Sequence, residues 1–176
     1  MDAARAPARY RGPVPATVVT SRPDAPWLPP GGRADVVLDP DGAPPAPTGL
    51  VRLLLRSGDD VFCVPRDGGT GRLDLPTCVV PDHDDGRTAA LGLARAVLGR
   101  DVVPTMVGYV RNEVLLPGAA SGNYPWPAPV CHFTVWQATG TPHLPGTWLP
   151  TDAASPLADR HWWPLLAAPS RLAVTS

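Results

Sequence analysis

Proline sets the outer limit on this fold. The chain carries 25 prolines in 176 residues, and each fixes φ near about −65° and removes a backbone donor. They are dense in the opening stretch, in "APARYRGPVPATVV" and "APWLPPGG". Such a segment cannot build a long helix and favours extended or edge-strand conformations. Residues 1–47 therefore read as a proline-rich arm, partly extended, ahead of a domain over residues 48–176. Within the arm, "ATVVTS" and "ADVVLD" are candidate short strands, and Trp27 and Leu28 are candidates to pin it to the domain. Residues 1 to about 30 are expected to be partly disordered or strapped across the sheet. No internal repeat is visible.

Regular structure begins at "GLVRLLLRSGDDVFCVPR". Two apolar runs, Leu50 to Leu55 and Val61 to Val64, flank the turn signal Ser57-Gly58-Asp59-Asp60, which predicts a hairpin. Gly68 to Gly71 form a loop, and "RLDLP" and "CVVP" are short extended pieces. A helix follows over roughly Arg87 to Leu98, with Asp84 or Asp85 as N-cap and Gly99 as stop. "VVPTMVGYVRNEVLL" and "VCHFTVWQAT" read as strands separated by a proline-rich loop. The C-terminal segment holds proline-broken loops and one or two helical turns. This order predicts a mixed sheet with few helices, an α+β domain.

Composition excludes several chemistries. Net charge is −1, which gives no global electrostatic case for nucleic acid or anionic lipid. No apolar run approaches the ~18 residues that span a membrane. Met1 to Gly12 carries no apolar stretch, so no signal peptide is visible and a cytoplasmic protein is expected. The chain has no lysine, and Glu113 is its only glutamate. Lysine-based covalent catalysis and any mechanism needing several glutamates are thereby excluded. Cys63, Cys78 and Cys131 form no Cys-x-x-Cys pair, so they read as buried thiols. A nucleophilic Cys131 beside His132 is weak, because strand neighbours point to opposite faces.

The stretch "LPTCVVPDHDDGRTAALGLARAVLG", Leu75 to Gly99, resembles the signature of the Nudix superfamily, G-x5-E-x7-R-E-U-x-E-E-x-G-U, where U is a bulky aliphatic. Without gaps, the first glycine falls on Cys78 and the first glutamate on Asp84. The Arg-Glu pair falls on Gly92 and Leu93, the Glu-Glu pair on Ala96 and Val97, and the closing glycine on Gly99. Leu75-Pro76 sits where the preceding Leu-Pro belongs. With the upstream hairpin and "HWWPLLA", the correspondence covers about residues 48 to 168. The resemblance implies a Nudix-like mixed sheet of the αβα sandwich type. In that family the box glutamates hold Mg²⁺ or Mn²⁺ against a diphosphate. Here the matching positions, spaced i, i+3, i+4 on one helical face, are Leu93, Ala96 and Val97. Hard cations need oxygen ligands, so standard metal-dependent hydrolysis is not expected, and neither is a cofactor.

Candidate site residues remain. Asp82, His83, Asp84 and Asp85 could rebuild a weak metal site, although aspartates at a helix N-terminus also serve as caps. Tyr109, Arg111 and Glu113 alternate along one strand, and His132, Thr134 and Trp136 along another. If these faces meet, Glu113 and His132 form a candidate acid/base pair, with Asp84 a further catalytic candidate. Tyr109, Arg111, Trp136, Leu93 and Val97 are candidate ligand contacts. Trp126, Trp148, Trp162 and Trp163 are candidates for stacking or for core packing. The leading reading is a degenerate Nudix-fold protein that binds a nucleotide-like or small organic ligand, or a protein partner, in a remodelled cleft; a homodimer is left open. The alternatives are a metal-independent acid/base enzyme of specialised metabolism and a divergent hydrolase with aspartate ligands.

Overall fold

The computed structural model describes residues 15–66, 71–114 and 124–167. The first 14 residues of the arm, most of the Gly68 to Gly71 loop and residues 115–123 of the proline-rich loop lie outside this set. So does the chain from residue 168. The fold is α+β: mixed sheet with a single α-helix among the described residues.

The main sheet has six strands: β1 (Thr17–Pro23), β2 (Arg33–Leu38), β3 (Thr48–Leu54), β7 (Thr77–Val79), β8 (Thr105–Glu113) and β9 (Val130–Gln137). Their spatial order is β1-β2-β8-β9-β3-β7. All neighbours are antiparallel except β3 and β9, which run parallel. A smaller sheet joins β4 (Arg56–Ser57), β5 (Asp60–Pro65) and β10 (Thr147–Pro150), and β6 (Leu73–Asp74) pairs with β5. The segment expected as an arm therefore supplies two strands, and β2 lies between β1 and β8. Its central residues Ala34 to Val37 are all buried.

The expected hairpin forms, but only at its tip. Arg56 pairs with Val61 and Ser57 with Asp60, whereas Leu50 to Leu54 pair with β9 and β7 instead. The physical reason is burial on both faces. Val51 and Leu53 pack towards α1 (Arg87–Leu98), while Leu54 packs into the cluster on the other side. A strand covered on both faces reads as a continuous apolar run and fits the sheet interior.

Helix α1 begins where the sequence predicts, with a different cap. Its N-cap is Gly86, at φ 73°, with no side-chain cap bond. Asp84 and Asp85 instead accept hydrogen bonds from the Gly86 and Arg87 amides, at 2.6 and 2.9 Å. Thr48 N–H donates to the Asp84 carbonyl at 2.8 Å, so this loop is tied to β3. A Cβ at position 86 would lie 2.8 Å from Thr48 Cγ2 and 2.9 Å from Val51 Cγ1. Only glycine suits both the left-handed backbone and the close approach. Gly99, also left-handed, ends the helix by donating to the Arg95 carbonyl.

The sheet face away from α1 is covered by parts of β5, residues 155–162 and a 3-10 turn at Trp163–Ala167. A second α-helix is absent from this side among the described residues, so the second outer layer of the αβα arrangement is not helical here. Trp27 packs against this core, and its Nε1–H donates to the buried Asn112 Oδ1 at 3.1 Å. Trp27→Ala should therefore cost on the order of 3 kcal/mol, combining lost packing with a buried amide left unpaired. Thermal melting checks this: the midpoint should fall by several degrees, and an unchanged midpoint would show that the N-terminal segment is only loosely held.

Candidate functional site

The two alternating strand patterns do meet. Arg111 lies opposite His132 and Tyr109 opposite Thr134 in the β8–β9 register, so Tyr109, Arg111, Glu113, His132, Thr134 and Trp136 share the sheet face that α1 partly covers. The Tyr109 and His132 rings meet edge to face, with centroids 5.3 Å apart.

Most of these groups already have partners. Asp35, on neighbouring β2, accepts from Ser21 Oγ at 2.6 Å and from Arg111 Nη2 at 2.5 Å, and pairs with Arg33 at 3.4 Å. Burial would raise the Asp35 pKa, but the Ser21 and Arg111 hydrogen bonds and the Arg33 charge outweigh it and hold the carboxyl low. The hydrogen bond to Asp35 correspondingly raises Arg111. Glu113 is paired with Arg33 at 2.7 Å. His132 Nδ1 lies 3.0 Å from the Pro47 carbonyl, and burial pushes its pKa down. Glu113 faces Val130 in the register, not His132. This face is an ion-pair network rather than an open acid/base dyad, although Arg33 Nε and Arg111 Nε make no hydrogen bond among the described residues. Trp136 is buried, with its Nε1–H on Thr134 Oγ1 at 2.9 Å, so it is a core residue and not a free ligand platform. Cys131 is fully buried on the opposite face, and burial pushes its thiol up to about 11.

The α1 positions follow the same logic. Val97 is fully buried among Leu53, Leu55, Phe62 and Ala94, with Trp148 packed alongside. It offers no surface to a ligand, which corrects the expectation for that residue. Leu93 is half-buried at the seam of two apolar clusters, and Ala96 is exposed. At the helix entrance, Asp84 and Asp85 hold backbone amides as described above. Among the described residues, no group of three or more His, Cys, Asp or Glu side chains converges as a metal site.

A cavity lies on the other face, distinct from a second space of about 540 Å³ lined by Arg56, Phe62, Leu144 and Trp148 among others. This cavity, of about 410 Å³, opens between β1, β2, β8 and the C-terminal turn, lined by Arg22, Trp27, Asp159, Arg160, His161 and Trp163 among others. The sequence patterns singled out Trp27 and Trp163 but missed Arg22, Arg160 and His161. The available signal was "DRHWW" (Asp159 to Trp163), a dense run of charged and aromatic groups in an otherwise proline-broken segment.

No protein-family model and no curated protein matches the chain. Among solved structures, the solution structure of the E. coli ORF135 protein is similar at 20% identity, over 71% of this chain and 93% of that one, with a TM-score of 0.39.

The graded burial of α1 gives a direct test. Val97→Glu buries an unpaired carboxylate and should cost several kcal/mol. Leu93→Glu should cost less, and Ala96→Glu should stay within about 0.5 kcal/mol of the parent. Chemical denaturation of the three variants reads this order. Three melts like the parent's would mean that the helix face is open to water.

Proposed function

We propose that this protein is a degenerate member of the Nudix superfamily that binds a small organic ligand and does not hydrolyse diphosphates with a metal. The observation that carries this reading is the α1 face itself. Its three box positions present Leu93, Ala96 and Val97, and Val97 is part of the core. Magnesium and manganese are held by oxygen atoms, and this face supplies none. Of the three, Val97 and in part Leu93 anchor the helix to the sheet, so a metal site there would have to displace packing.

The binding half of the reading is supported by the cavity on the opposite sheet face. Its volume, about 410 Å³, falls in the range of small-molecule sites, and its mixture of indole rings and a few polar groups is what such sites use. The acid/base reading has less support, because Glu113 and His132 are committed to Arg33 and the Pro47 carbonyl.

Purified protein incubated with nucleoside diphosphate derivatives and Mg²⁺ or Mn²⁺ should release no monophosphate above a control preparation. Robust metal-dependent turnover that co-purifies with the protein would contradict the proposal.

A further inference from the structure

The interior of the sheet face opposite α1 is short of negative charge. Arg52 points into it from β3 and is completely buried, with Nε and Nη1 lacking hydrogen-bond partners among the described residues. Its guanidinium lies 5.6 Å from the Phe133 ring centroid. Arg66 and Arg160 act on the same region, and burial together with these two like charges pushes Arg52 down to about 10. The carboxylate that faces them is Asp74. It pairs with Arg66 Nη2 at 2.6 Å and accepts from Trp162 Nε1 at 2.9 Å and the Leu75 amide at 2.8 Å. This one carboxylate is taken up by the partly exposed Arg66, Trp162 and the Leu75 amide, and it also faces the buried Arg52 and the half-buried Arg160.

His161 sits between this cluster and the cavity. Its ring lies 5.2 Å from that of Trp27, and Nε2 is buried without a partner among the described residues. Burial, reinforced by Arg52, Arg66 and Arg160, pushes its pKa down to about 2. It therefore stays neutral and adds no positive charge. Arg160 spans the two regions: Nη2 donates to the Leu73 carbonyl at 2.6 Å, while Nε is buried and unpaired. Arg160 and His161 both line the cavity, with Arg22, Asp159, Trp27 and Trp163; the Arg22 guanidinium lies over the Trp27 ring, 5.4 Å from its centroid.

A buried guanidinium is costly unless an anion meets it, and Arg is suited to planar, bidentate oxyanions. We propose that the cavity binds a small aromatic anion, a carboxylate or a phosphate monoester. Its ring lies against Trp163, and its charged group sits by Arg160, His161 and the Arg22 guanidinium held over Trp27, with the charge of Arg52 acting from behind His161. The inference rests on the ligand-binding reading above and names the class of ligand. A neutral ring would use the indoles and leave the excess positive charge unmet, and a cation would be repelled.

The test titrates the full-length protein with benzoate, phenyl phosphate and uncharged benzyl alcohol, followed by tryptophan fluorescence and thermal midpoint. At least one anion should bind saturably, raise the midpoint and weaken with added salt. Benzyl alcohol should bind at least roughly tenfold more weakly, and the better anion identifies the head group. Arg160→Gln should weaken anion binding by roughly tenfold or more. Arg52→Met provides an independent reading: without ligand its midpoint should equal or exceed the parent's, because the lost charge was buried and met only in part by Asp74, and its affinity for the anion should fall. Equal binding of benzyl alcohol overturns the anion inference and leaves the ligand-binding reading standing. No saturable response to any probe, or an Arg52→Met protein that melts lower and binds the anion like the parent, also overturns it. Metal-dependent diphosphate hydrolysis would instead overturn the proposed function.

Discussion

The carboxylate of Asp74 joins parts of the chain that are far apart in sequence. Through Trp162 it fixes the C-terminal segment, through Arg66 the end of β5, and through its charge it acts on Arg52 in β3. Arg160 adds a second tie to the same place by donating to the neighbouring Leu73 carbonyl. Removing one partner of a buried ion pair is more damaging than never having built it, because the remaining charge stays desolvated. The apolar cluster around Leu157, Trp162 and Leu165 is thus organised by one negative charge in a cationic setting. The cavity beside it inherits that setting.

The two faces of the sheet resolve their polar groups differently. On the α1 side, Asp35 and Glu113 meet the charges of Arg33 and Arg111 two against two, with only the two Nε atoms left without a hydrogen bond among the described residues. On the other side, unpaired guanidinium and imidazole nitrogens remain next to open space. Helix α1 meanwhile gives Val97, and Leu93 in part, to packing. Val97 cannot serve a core and a cation together.

Local features of the fold were readable from the sequence. Helix α1 is a run without proline, bounded by aspartates and by Gly99, and the alternation placed Tyr109 with Arg111 in β8 and His132 with Thr134 in β9; that the two faces are one came from the β8–β9 register. What could not be read depends on distant partners. The apolar run Leu50 to Leu55 does not say that its neighbour is β9, some eighty residues on, rather than β5 across the turn. Arg52 in that run looks like an outward-facing charge, and only the covering β5–β6 region and the C-terminal segment make it buried. Asp74, in the short "RLDLP" piece, carries no local sign of its role. Arg22 and Arg160 come from opposite ends of the chain and meet only through the β1–β2 pairing and the final turn. In the proline-rich start the two short strands expected from "ATVVTS" and "ADVVLD" form as β1 and β2, but nothing local said that β2 would lie between two other strands.

The dependence on Asp74 is tested most directly by a double-mutant cycle with Arg52, read by denaturant unfolding. Asp74→Asn alone should lose roughly 3–5 kcal/mol, because it strands buried guanidinium groups. Adding Arg52→Met should recover a substantial part of that loss, a coupling well outside the about 0.5 kcal/mol expected of independent sites. If the two substitutions simply add, Asp74 does not answer the charge of Arg52, and the cationic cluster is not what organises this face of the protein.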